Sequence, residues 1–206
     1  MIKIIIIFIF SFWLVNFSNS KQSDLDALAA KVKKLESQVK ILLDAKKIND
    51  ASKNERTKAL YRILRDGDLY TKNELREAEI ILRFIENNPN DESNIKKINI
   101  LRKKYPRANQ TGCALITWAL SQEKETKEKI LLEVIENHSD CYFSDGVSVG
   151  AYSRLYLALH YRSINKIEQS MLLVNEIKLS FPYAIDHDGR TLSEHLKELE
   201  SILPFP

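Results

Sequence analysis

Glycine, proline and cysteine are scarce in this chain: five, five and two residues among 206. So few chain-turning residues exclude a β-sandwich or barrel, whose many short strands each need a turn. Two cysteines exclude a small scaffold stapled by disulfides. Long blocks of one charge are also missing. The 31 Lys and Arg are interleaved with 28 Asp and Glu, and a formal charge of +3 spread this way is no footprint for nucleic acid. There is no glycine-rich phosphate loop, and no nucleophile elbow surrounds Ser139, Ser144 or Ser148. His138, His160, His187 and His195 show no metal-ligand spacing. What is present, 44% hydrophobic and 29% charged residues, suits a folded helical protein with one modest domain and appendages.

The N-terminus carries an export signal. Lys3 supplies a short positive start, Ile4 to Val15 is an almost unbroken apolar run, and Ser18-Asn19-Ser20 has the small-x-small pattern of a cleavage site. The run is shorter than the roughly 20 residues of a membrane span. Residues 1–20 are therefore expected to be a signal peptide, and the mature chain, starting near Lys21, is expected in the periplasm or secreted.

Next comes a heptad seam. Leu25, Val32 and Val39 fall at a, and Leu28, Leu35 and Leu42 at d. Lys31 at g faces Glu36 at e across a parallel pair. The six apolar residues predict self-association, with two strands favoured over three. Beyond Leu42 the seam turns polar at Lys46, Asn49, Lys53 and Arg56, then returns at Leu60 and Ile63. Residues 21–66 are expected to form this coiled-coil helix, ended before Gly67.

Residues 67–206 read as successive helices. Thr71-x-x-Glu74 is a capping box that starts a helix at Lys72, and Asn87-Asn88-Pro89 stops it. Further helices are expected up to Tyr105-Pro106, over Asn109–Ser121, Lys124–Asn137, Val147–Ser163 and Lys166–Ser180, and from Thr191, where Thr191-x-x-Glu194 is a second capping box. Leu192, Leu196, Leu199 and Leu203 then share one face. Short connections imply antiparallel pairs.

One stretch carries a family resemblance. With Pro182 as a closing proline, Leu157 and Ala158 form a large-small pair, Tyr161 a first-helix tyrosine, and Ser170 the small contact position of a second helix; Val174 and Ile177 point inward. In this, residues 151–184 resemble a tetratricopeptide repeat. Arg154 departs from the usual large residue, and Ile177 from the usual Ala. Residues 107–138 match less closely, with Cys113 and Ala114 as the pair, and 75–106 less still. The resemblance implies an all-α fold: a coiled-coil helix, then tetratricopeptide-like antiparallel pairs stacked as an α-solenoid, and a capping helix. It also implies a partner-binding face carrying Trp118, Tyr152, Leu155 and Arg162. The order of signal, coiled coil and repeats is similar in layout to the periplasmic coordinators of cell division that work with the Tol-Pal system.

Cys113 and Cys141 are the candidates for a disulfide in an oxidising compartment, since the start of one helix and the end of its antiparallel neighbour lie close. Asp186-His187-Asp188-Gly189 is the most site-like cluster, with the polar turn as its plainer reading. Together these features predict a non-catalytic exported scaffold that binds a protein or peptide, without cofactor, metal or nucleic acid. The rivals are a hydrolase or metal-dependent enzyme using Asp186, His187 and Asp188, and a secreted effector.

Overall fold

The computed structural model describes the backbone of residues 2–201 and the side chains of residues 27–46 and 49–197. The side chains of the expected signal peptide, residues 1–20, and Leu25, Leu199 and Leu203 lie outside what is described. Among the described residues the chain is all-helical. The elements are α1 (Ile2–Asp66), α2 (Lys72–Asn87), α3 (Asn94–Lys104), α4 (Asn109–Leu120), α5 (Lys124–Asn137), α6 (Val149–Ser163), α7 (Ile167–Ser180) and α8 (Leu192–Ser201). No described helix is long and apolar enough to cross a membrane.

Two compact units divide the chain, Met1–Lys47 and Ile48–Pro206. In the first, the seam side chains Leu28, Val32, Leu35, Val39 and Leu42 are 46% to 69% exposed. The second unit begins inside α1, earlier than the boundary at residue 67 expected from sequence. The reason is a packing face with almost no large apolar residue. Ala51, Glu55, Ala59, Arg62 and Asp66 recur at helical spacing and are all buried. The Arg62 guanidinium pairs with Asp66, lies 3.2 Å from the Asp140 carboxylate, and donates to the Arg107 carbonyl at 2.8 Å. Asp66 in turn accepts the Asn109 N–H at 2.7 Å. Asn109 is the first residue of α4, and its N-cap Ala108 has no side chain able to cap. A carboxylate borrowed from α1 thus satisfies a helix N-terminus, where negative charge is favoured.

The array starts where the capping box places it. The Thr71 hydroxyl accepts the Glu74 N–H, and Glu74 accepts the Thr71 N–H. Ala78, Ile81, Leu82 and Ile85 form the inner stripe of α2. α4 is the centre of the fold. It touches α2, α3, α5 and α6, and ten of its twelve residues are buried. α6 packs on α5 and α7. Ser170 of α7 is small enough for the close approach, and its hydroxyl donates to the Ala158 carbonyl at 2.8 Å.

Two loops, 138–148 and 181–191, share one frame. In each, a helix ends on an aromatic residue whose N–H reaches back four residues: His138 to Val134 and Phe181 to Ile177. Cys141 N–H then bonds to His138, as Ala184 does to Phe181. An isolated antiparallel bridge follows, Tyr142 with Ser148 and Ile185 with Thr191. Gly146 (φ 99°) and Gly189 (φ 81°) take the left-handed position of the turn. The bridge draws Val147 and Ser148 into the first loop, so α6 starts at Val149, later than the spacing suggested. Ser148 caps α6 by accepting the Ala151 N–H at 3.3 Å. The Thr191 hydroxyl lies instead 2.9 Å from that of Ser193.

A candidate binding cleft between α6 and α8

The second loop, α6 and α8 together enclose a cleft of about 380 Å³. Tyr152, Leu155, Tyr156 and Leu159 come from α6, at the spacing that lays them along one helix face. α8 adds Leu192 and His195, and the loop adds Asp186, His187, Asp188 and Arg190. The volume and the mix of apolar walls with a few polar groups fall in the range of ligand-binding sites.

Asp186 organises the polar side. It is buried and accepts the N–H groups of Asp188 (2.9 Å) and Arg190 (2.8 Å), the Arg190 Nε–H (3.0 Å), and a contact from His195 Nε2 (2.7 Å). Burial works against the charge of this carboxyl. The hydrogen bonds from His195 and the Arg190 backbone, with the Arg190 charge, outweigh it and hold the group below its ordinary range. His187 turns the other way. Its Nδ1 lies 2.7 Å from Asp145 of the first loop, and its ring stands edge-on to Phe143 and Tyr152, both with centroids at 5.2 Å. Asp188 is exposed and pairs with Arg190 at 3.1 Å. Asp186 and Asp188 thus share Arg190, while His187 pairs with Asp145 on the other loop. Among the described residues no group of His, Cys, Asp and Glu is arranged to hold a metal ion.

Tyr152 and Tyr156 form the aromatic wall, edge to face at 5.5 Å. Burial, then the neighbouring Tyr156 and Asp186, push the Tyr152 hydroxyl up to about 12. Burial alone raises Tyr156. Both phenols stay protonated at neutral pH and act as hydrogen-bonding groups on an apolar surface.

Of the residues expected on a partner-binding face, Tyr152 and Leu155 do line this cleft, with Leu155 mostly buried behind the tyrosines. Trp118 does not. It lies in the core, 8% exposed, with the Arg102 guanidinium 6.0 Å from its ring. A repeat register read from residues 107–138 assumes an outer face on α4, and helices surround α4 instead. Arg162 is half-buried on α6 and is not among the residues lining the cleft.

Cys113 and Cys141, the expected bridge, are two free buried thiols. Cys113 donates to the Tyr142 carbonyl at 3.3 Å, and Cys141 accepts from Arg62 at 3.6 Å. Each sulfur thus has its own polar partner on a different element. Burial pushes the Cys141 thiol up to about 12, and Cys113 lies well above its ordinary value for the same reason.

The sequence reading missed the likeness of the two loops. The signal was available: Asp145-Gly146-x-Ser148 and Asp188-Gly189-x-Thr191 each precede an apolar helix start. It also missed Tyr156 and Leu159, which share the Tyr152 face of α6, and His195, which joins the cleft only through the fold. Comparison with known proteins finds no matching family model, no matching curated protein and no matching solved structure.

Proposed function

We infer that this chain is an exported, non-catalytic scaffold that binds a protein or peptide partner in the cell envelope. The observation that carries the reading is the cleft between α6 and α8. Its walls are apolar and aromatic, and its one buried carboxylate, Asp186, is spent on its own turn and on His195. Such a carboxylate shapes a surface, whereas an acid/base group must be free to exchange a proton with a substrate.

The finer architecture belongs to the same proposal. α2–α3, α4–α5 and α6–α7 are taken as tetratricopeptide-like pairs, with α8 as the cap. The contacts of α2 with α4 and of α4 with α6, the first helices of successive pairs, support this stacking. The exposed seam from Leu28 to Leu42 supports pairing of two copies through the coiled coil. Two linked clefts would raise the avidity for a partner with two binding segments.

Partner capture from envelope extract, with the mature chain as bait, tests the binding role. Tyr156→Ala and Leu159→Asp should each lower recovery of any specific band at least several-fold while melting stays cooperative. Equal recovery by both variants would refute the cleft as the binding surface. Light scattering tests the seam. The mature chain should run as a dimer, and Leu35→Asp with Leu42→Asp should make it a monomer.

A further inference from the structure

A second, smaller recess lies between α2, α4 and the first loop. It encloses about 110 Å³, room for the head of one side chain rather than a whole ligand. Gln110 of α4 is 9% exposed and lines it, and its Oε1 is buried without any hydrogen-bond donor. The neighbouring Asn109 cannot help. Its amide donates to the Tyr142 carbonyl at 2.7 Å and accepts the Tyr142 N–H at 2.8 Å. At the rim, Glu79 and Glu86 of α2 share a single cation, Arg83, at 2.8 and 3.0 Å. Two anions against one cation leave the rim negative. Their field reaches the floor of the recess: after burial and Cys141, these two carboxylates are what raise the Cys113 thiol.

We propose that this recess is a subsite for a cationic side chain, arginine in preference to lysine, carried by the peptide that the scaffold binds. The proposal rests on the reading of the chain as a peptide-binding scaffold and names the chemistry of one contact. A guanidinium presents several N–H donors in one plane. A turn of the Gln110 side chain would bring its orphaned Oε1 to one of them while others meet Glu79 and Glu86, which a compact ammonium matches less well. One aromatic contact stands between the recess and the cleft. Phe143 lines the recess, and its ring packs against His187, which lines the cleft. A peptide crossing this aromatic ridge would set a basic residue on one side and an apolar one on the other.

The test is an NMR titration of the ¹⁵N-labelled mature chain, with the Gln110 side-chain amide and the Gly112 N–H as reporters. The probes are N-acetyl-argininamide, its lysine counterpart, and the neutral isostere N-acetyl-citrullinamide. Saturable shifts are expected with arginine, weaker ones with lysine and none with citrulline. Glu79→Gln combined with Glu86→Gln should weaken arginine binding about tenfold, as loss of charge-assisted bonds does. Gln110→Met should weaken it less, with the melting temperature of each variant showing that it folds. Equal shifts from citrulline and arginine, or unchanged binding by the double variant, would overturn the subsite. If that happens while Tyr156→Ala still lowers partner capture, the subsite alone falls. If both fail, the scaffold reading falls with it.

Discussion

The loops at 138–148 and 181–191 have the same frame and opposite fillings. The first is packed from outside. Asn109 of α4 brackets the Tyr142 backbone, Val147 is buried, and α1 presses on Gly146. The second braces itself through Asp186 and leaves its outer side to the cleft. One backbone design thus serves as a structural clamp in one place and as the wall of a cleft in the other. The difference lies in the side chains, because the turn needs only Asp, Gly and a short hydroxyl residue to form.

Four substitutions would break or sharpen this contrast. Gly146→Ala should cost the most, about 3 kcal/mol, because the residue must keep a positive φ and its Cβ would lie 2.8 Å from the Arg56 backbone nitrogen. Urea unfolding measures it. Asn109→Ala should cost about 2 kcal/mol, since it leaves the Tyr142 N–H without an acceptor and its carbonyl with only the weak Cys113 thiol donor in a part-buried site. Gly189→Ala should cost only about 1 kcal/mol. Its φ is also positive, but the nearest atom to a new Cβ would be the Ser52 hydroxyl at 3.7 Å, an ordinary contact. Equal losses at Gly146 and Gly189 would show that backbone strain, and not the pressure of α1, sets the cost.

The smallest expected effect is a change of slope with pH. Asp186 has a folded pKa below its unfolded one. It therefore adds stability that is fully present above the unfolded value, near 4, and is lost as pH falls through the lower folded value. Asp186→Asn should flatten the stability curve in that acid window and leave its neutral arm parallel to that of the parent. An unchanged acid slope would mean that the carboxylate is not tied to His195 and Arg190 in solution.

Local chemistry made much of the fold legible. The capping box placed the start of α2 at Lys72, and the span Lys124–Asn137 expected from sequence is that of α5. The inner face of α1 was illegible for a physical reason. Ala51, Glu55, Ala59, Arg62 and Asp66 would read as a solvated stripe, and only their partners on α4 and the loops make them buried. Trp118 failed in the opposite sense. A large aromatic at a surface register position looks like a binding residue until the neighbours of α4 are counted. Half of the cleft was visible through Tyr152, Leu155 and the Asp186–Asp188 cluster, read as belonging to rival functions. Nothing local linked them, since the link is the seating of the second loop against α6, seen in the Tyr152–His187 contact.

The placement of α1 also has a consequence for the birth of the chain. Ser52, Arg56, Arg62 and Asp66 are synthesised before any surface they rest on. Asp66 can meet Asn109 early, but Arg56 must wait for Asp145, and Ser52 for Gly189, which follows it by more than a hundred residues. The polar inner face suits a segment with so long a wait, because it exposes little that would aggregate in the interval. Such late, distant closures slow folding. A stretch of chain made late completes the seat for one made much earlier.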